Sequence, residues 1–255
     1  MAKALDVREV QVERGKRRVL QQISFAVEYG ELVALIGPNG AGKTTLLETI
    51  AGFHSFAGEI LLQEKPLRLL SPRQRAPLIA YVPQISRLDA PMAAIDVVRQ
   101  GRFCFRNGFG GLSPSDEAAV QRALVATDTA RFADRPYTEL SYGERRRVVL
   151  ARALATEARL IVLDEPSSSL DIGQSLALFD TLRTLASQGH AVVLVLHHLG
   201  EALRFTDRAL LLHQGRRVAL GRTAEVVCDN VIGPVYGVKL LADGHGFHAL
   251  PRAIS

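Results

Sequence analysis

Cysteine is nearly absent from this 255-residue chain. The two present, Cys104 and Cys228, lie 124 residues apart. That separation makes neither a metal-ligand pattern nor a disulfide framework, and it fits a reducing, cytoplasmic setting. Long hydrophobic runs are missing too: no apolar stretch reaches the ~18 residues that suggest a membrane span. The Met1 end, MAKALDVREV, lacks the apolar core of a secretory signal. Eleven prolines and 21 glycines are ordinary usage, which excludes collagen-like and linker sequences, and no internal repeat or low-complexity tract is found. Lysine is scarce, five against 26 arginines, yet the net charge is +5. The arginines are scattered, with no long basic block, so they read as ordinary surface charge in preference to a nucleic-acid or membrane patch. What is present, 47% hydrophobic and 22% charged residues, is the composition of a globular domain able to bury one large core.

Short apolar clusters at 10–12, 23–27, 32–36, 60–62 and 79–82, separated by turn signals such as Tyr29-Gly30 and Ala57-Gly58, predict strands. One helix is predicted among them, over 43–51, closed by Gly52. From about 87 to 140 the pattern is helical with loops and a glycine patch at Gly108, Gly110 and Gly111. Ser113 to Glu117 marks a helix start, with proline and acids in the first turn. Further helices are predicted over 140–155 and 173–188. Residues 160–163 and 191–196 are continuous apolar runs, as in strands covered on both faces. Strand, helix, strand in that order predicts a parallel sheet with right-handed crossovers. The fold class is therefore α/β, with a helical insertion.

Two segments carry chemistry. Gly37-Pro38-Asn39-Gly40-Ala41-Gly42-Lys43-Thr44, followed by Thr45, fits G-x-x-x-x-G-K-[ST] between a predicted strand and a predicted helix. Glycines let successive backbone N–H groups turn inward around phosphate oxygens, and the helix N-terminus adds its positive dipole end. Lys43 would reach the terminal phosphates and Thr44 would ligate magnesium. The second segment is the strand 160–163, which ends in Asp164 and Glu165 at the edge where open α/β sheets bind ligands. Asp164 would hold magnesium, and Glu165 would polarise an attacking water as general base. Strand alternation predicts that the two acids point in different directions. Beyond the strand 191–196, His197 is positioned to face a γ-phosphate; with His198 it makes no zinc pattern, for want of a third ligand by spacing.

These residues resemble one family, the nucleotide-binding subunits of ATP-binding cassette (ABC) transporters. The diagnostic element is Leu140-Ser141-Tyr142-Gly143-Glu144, followed by a basic helix, with Glu144 placed 20 residues before Asp164. It looks like the family's L-S-G-G-Q signature. Gln84 resembles the Q-loop glutamine and a further magnesium ligand, Asp171 the D-loop aspartate, and His197 the switch histidine. The resemblance implies a P-loop NTPase core of mostly parallel, RecA-like sheet, an antiparallel β-subdomain and an inserted helical subdomain. It implies one domain over 1–255: core and β-subdomain at 1–86 and 159–230, helical subdomain at 87–158, tail at 231–255. It also implies ATP and Mg2+ as ligands. Ser141, Tyr142, Gly143 and Glu144 would act in trans, closing on the ATP of a second copy. Tyr142 stands where the family has glycine, and Glu144 where it has glutamine. Arg14 stands where the family often stacks an aromatic on adenine; a guanidinium can stack there instead.

A single cassette without a span implies separate membrane subunits, as in bacterial importers. Val97-Val-Arg-Gln-Gly-Arg-Phe103, Ser113 to Glu117, and the ending Val235-Tyr-Gly-Val-Lys-Leu with His248-Ala-Leu-Pro251 resemble the branch that imports ferric siderophores, haem and vitamin B12. Cys104-Phe105 replaces a Pro-His pair common in that branch. Phe103 and Phe105 are expected in the core, and Cys104 as a small buried hydrophobe. The resemblance implies two permease subunits, a periplasmic binding protein, the cytoplasmic face of the inner membrane, and no nucleic-acid partner. The alternatives are another ABC importer or exporter ATPase, or a soluble nucleic-acid-associated one.

Overall fold

The computed structural model describes residues 2–15, 17–84, 91–106, 111–243 and 246–251. Strands β1 (Lys3–Arg14) and β2 (Arg17–Glu28) form a long hairpin, followed by β3 (Leu32–Ile36) and helix α1 (Lys43–Ile50). Next come β4 (Ala57–Leu62), β5 (Lys65–Pro66), α2 (Pro72–Arg75) and β6 (Ile79–Val82). The insertion between β6 and β7 (Leu160–Leu163) holds α3 (Ala94–Arg99), α4 (Pro114–Ala126) and α5 (Tyr142–Leu154). Then follow α6 (Ile172–Ser187), β8 (Ala191–Val195), α7 (Leu199–Phe205), β9 (Arg208–His213) and β10 (Arg216–Arg222). The chain closes with α8 (Thr223–Val226), α9 (Asp229–Tyr236) and a β11 (Val238–Asp243), β12 (Gly246–Pro251) hairpin.

The central sheet has the order β10-β9-β3-β8-β7-β6, parallel except for β10. A second, antiparallel sheet has the order β2-β1-β4-β5. Strand alternation divides the core in two. Leu32, Ala34 and Ile36 of β3 face the helices, while Val33 and Leu35 pack toward the antiparallel sheet and α1. β7 and β8 split the same way, which is why their sequences are unbroken apolar runs. The predicted α/β core with an inserted helical segment and an antiparallel sheet is the fold observed.

Differences from the sequence reading have local causes. The β9–β10 and β11–β12 hairpins were not predicted. β10 (RRVALGR) is an edge strand with no buried residue, so it carries little apolar signal. Phe103 is 52% exposed, with Arg106 over its ring, so the expected core placement fails there. Phe105 is half-buried under the Arg102 guanidinium at 3.9 Å. Cys104 is half-buried, and burial pushes its thiol pKa up, as for an inert small hydrophobe. Gly108 and Gly110 lie outside the described residues.

Candidate functional site

Sheet order explains how distant residues meet. β3, β8, β7 and β6 are consecutive neighbours, and each carboxyl end delivers one part of the site. β3 leads into the 37–44 loop, β8 into His197, β7 into Asp164 and Glu165, and β6 into Gln84.

The loop needs glycine at its first position. Gly37 has φ +148°, and a Cβ there would lie 2.2 Å from the Leu212 carbonyl oxygen at the end of β9. Gly42, also left-handed, forms the N-cap of α1, so the helix's free N–H groups open toward the loop. Lys43 is buried, and its Nζ donates to Gly37 O at 2.7 Å and Pro38 O at 3.0 Å, across the loop. Burial holds its ammonium pKa below the ordinary lysine value, against the pull of Glu165 and Asp164. A cleft of ≈ 570 Å³ opens over the loop, lined by Arg14, Asn39 to Thr45, Glu165 and His197, among others.

Asp164 is 1% exposed. Burial pushes its carboxyl pKa up, opposed by a hydrogen bond from Thr44, and its Oδ1 has no partner among the described residues. Glu165 follows in the left-handed region, φ +47°. The two acids therefore diverge through a backbone turn beyond β7, not through strand alternation as predicted. Gln84 Nε2 donates to Glu165 Oε2 at 2.5 Å, and His197 Nε2 lies against Oε1. Glu165 is thus clasped from both neighbouring strands.

Arg14 stands on the cleft wall. Its Nη2 donates to Glu48 Oε2 at 3.3 Å and meets His54 Nε2 at 2.7 Å. Nothing in the sequence pattern marks Glu48 and His54 as partners of Arg14. Ser141, Tyr142, Gly143 and Glu144 do not line this cleft. Ser141 caps α5, and Glu144 returns the contact: Glu144 N–H donates to Ser141 Oγ, and Ser141 N–H to Glu144 Oε2 at 2.8 Å. The S-x-x-E spacing was the signal for this capping box. Those bonds, the Ser141 backbone first, hold the Glu144 carboxyl pKa below its ordinary value. Gly143 lies under Gln174, whose Oε1 would sit 2.0 Å from a Cβ. Asp171 caps α6, accepting from Gln174 N–H at 2.8 Å. Tyr142 is half-exposed beside the Arg146 guanidinium.

The residues fit a magnesium–phosphate ligand set. Mg2+ is usually held by one or two carboxylates together with substrate phosphates. Asp164 supplies a buried, partly unpartnered carboxylate beside the Thr44 hydroxyl. Among the described residues, no three His, Cys, Asp or Glu side chains cluster to hold a metal unaided.

Comparison with known proteins gives the family. The ABC transporter family profile matches residues 20–168. The chain is 38% identical over 245 residues to the hemin import ATP-binding protein HmuV of Myxococcus xanthus, covering 93% of this chain and 91% of that protein. It is 41% identical over 228 residues to HmuV of Streptomyces coelicolor, covering 89% and 81%. Among solved structures, a metal-chelate type ABC transporter in an inward-facing conformation superposes with a TM-score of 0.83 at 27% identity, covering 99% and 98% of the two chains. A dimeric bacterial ABC transporter cassette superposes with a TM-score of 0.76 at 25% identity, covering 86% and 98%. This chain belongs to the ABC transporter family. It is an ATPase of that family and binds ATP. Among the described residues, no helix is long and apolar enough to cross a membrane.

Proposed function

We propose that this chain is the motor of a bacterial importer for an iron complex, with haem the favoured cargo and a ferric siderophore or corrinoid the alternatives. The relatives are HmuV proteins by name, and the chain superposes on a metal-chelate type transporter, which supports that cargo class. On this reading the chain sits at the cytoplasmic face of the inner membrane. It pairs with a second copy, two permease subunits and a periplasmic binding protein. Ser141, Tyr142, Gly143 and Glu144 of each copy face the ATP of the other, with Asp171 at the same interface. The single-domain division into core, helical subdomain and tail belongs to the same proposal.

The observation that carries the chemistry is the clasp on Glu165 at the mouth of the cleft. Glu165 takes a proton from the attacking water. His197 and Gln84 orient its carboxylate and face the terminal phosphate. Lys43 and the N–H groups from Asn39 to Thr45 hold the phosphates, and Arg14 presents its guanidinium plane to the base, its edge being anchored by Glu48 and His54. Thr44, Gln84 and Asp164 would hold Mg2+, which would neutralise charge on the phosphates during transfer.

The test is Glu165→Gln. The amide keeps the shape of the carboxylate but is no base, so turnover falls about 10²–10⁴-fold while ATP binding persists. An ATP-dependent dimer accumulates on size-exclusion chromatography. Turnover at the parent rate would remove Glu165 from the role. Cargo is tested separately: the membrane complex, co-purified with its permease, shows ATPase stimulation by a haem-loaded binding protein. Stimulation only by a ferric siderophore or corrinoid would reassign the cargo.

A further inference from the structure

Arg146 lies on α5, within the helical insertion, yet its guanidinium reaches backbone of the core. Nη1 donates to Pro83 O at 2.9 Å. Nη2 donates to Glu165 O at 3.1 Å and to Ser168 Oγ at 3.3 Å. Ser168 tightens the same point: its Oγ–H donates to Glu165 O at 2.9 Å and its N–H at 3.2 Å. Pro83 O belongs to the peptide joining Pro83 to Gln84. One guanidinium therefore touches backbone next to each of two side chains that hydrogen-bond to one another.

Two features mark this as more than surface decoration. Glu165 occupies the left-handed region, which a glutamate keeps only where its surroundings hold it. Arg146 Nε is buried with no partner among the described residues, so the side chain leaves one donor unsatisfied while making these three contacts. The ring of Tyr142, the residue that stands in place of a signature glycine, lies 5.6 Å from the same guanidinium.

We propose that Arg146 is a positioning residue that makes hydrolysis conditional on the docking of the signature helix against the core. It sets the Glu165 backbone and the approach to Gln84 together, so displacement of α5 releases both at once. A fork with several fixed donors can hold two carbonyls and a hydroxyl in one geometry; an ammonium, a point charge, lacks that fork. The inference rests on Glu165 being the base.

The experiment compares Arg146→Met and Arg146→Lys with the parent full-length chain, by phosphate release from Mg-ATP and by ATP titration. Arg146→Met lowers kcat at least tenfold with the ATP Kd changed less than twofold, and Arg146→Lys falls between Met and the parent. A general loosening of the fold moves kcat and Kd together, and that outcome overturns the proposal, as does parent kcat in Arg146→Met. Should the methionine variant not fold, parent kcat in Arg146→Lys overturns it equally. Glu165→Gln, run alongside, separates the two readings. If it is inert while Arg146→Met is fully active, only the positioning inference fails. If it turns over normally, both fail.

Discussion

Arg102 offers a perturbation whose size can be worked from its surroundings. Its side chain is 7% exposed. Nε donates to Asp116 Oδ1 at 2.9 Å, and Nη1 to Ala155 O at 2.8 Å and Glu157 Oε2 at 2.9 Å. These bonds tie the start of α4 to the end of α5. Arg102→Met keeps an apolar stem and removes the charge. Breaking a buried pair costs about 3–5 kcal/mol, because the partner is left uncompensated. Two facts reduce that here. Asp116 retains donors from Ser113 Oγ and N–H, and Glu157 is half-exposed and keeps Arg122. The expected loss is about 3 kcal/mol, or roughly 6–12 °C in melting temperature for a domain of this size. Scanning calorimetry at pH 7 measures it. The Arg102→Met, Asp116→Asn double variant recovers at least ~1 kcal/mol, because the stranded charge is gone.

The pH dependence has a definite sign. Ser113 first, with help from Arg102, holds the Asp116 carboxyl pKa below its ordinary 3.8. Arg122 and Arg102 hold Glu157 below its ordinary 4.5, outweighing the opposing effect of burial. Depressed carboxylates contribute stability that is present above their unfolded values and is lost as pH falls through the folded ones. The gap between parent and Arg102→Met is therefore widest at neutral pH and narrows below about pH 4. A shift under 2 °C at pH 7, or no recovery in the double variant, refutes the reasoning.

Two other changes address the cleft. Gly37→Ala sets a methyl 2.2 Å from the Leu212 carbonyl in a backbone region that alanine avoids, so the loop must deform. ATP affinity falls more than tenfold by titration with a fluorescent nucleotide, and unchanged affinity would mean the loop does not set the phosphate site. If Arg14 stacks on the base as proposed, Arg14→Ala removes an exposed cation–π partner worth ~0.5–1 kcal/mol, a two- to fivefold rise in ATP Kd. An unchanged Kd would take Arg14 out of the base site.

The legible part of the site was the part encoded locally. The phosphate loop and the two acids after β7 are contiguous segments whose spacing states their geometry. The clasp on Glu165 is different. Gln84, Glu165 and His197 are scattered along the chain and meet only because β6, β7 and β8 are neighbours in the sheet. Glu165's left-handed backbone and the reach of Arg146 left no pattern, since a guanidinium that binds carbonyls carries no partner residue in the sequence. In the fold, strands buried on both faces announced themselves as apolar runs, whereas β10, an exposed edge, did not.

The arginine excess gains a physical account from the same contacts. In the sequence it reads as scattered surface charge. In the structure many of these guanidiniums donate to backbone carbonyls at loops and helix ends. Arg73 holds Cys104 O and Arg106 O, Arg145 holds Leu140 O and Thr138 O, and Arg183 holds Phe205 O while pairing with Asp207. Arg102 holds Ala155 O, and Arg146 holds Pro83 O and Glu165 O. Helix ends and irregular connections leave carbonyls that need donors. A planar fork can satisfy two of them at once, which an ammonium does with less geometric control. Arginine's preponderance over lysine thus fits a fold that satisfies irregular backbone acceptors with planar forks; of these arginines, Arg73 and Arg146 join the helical insertion to the core, and Arg146 does so beside Glu165, the proposed base.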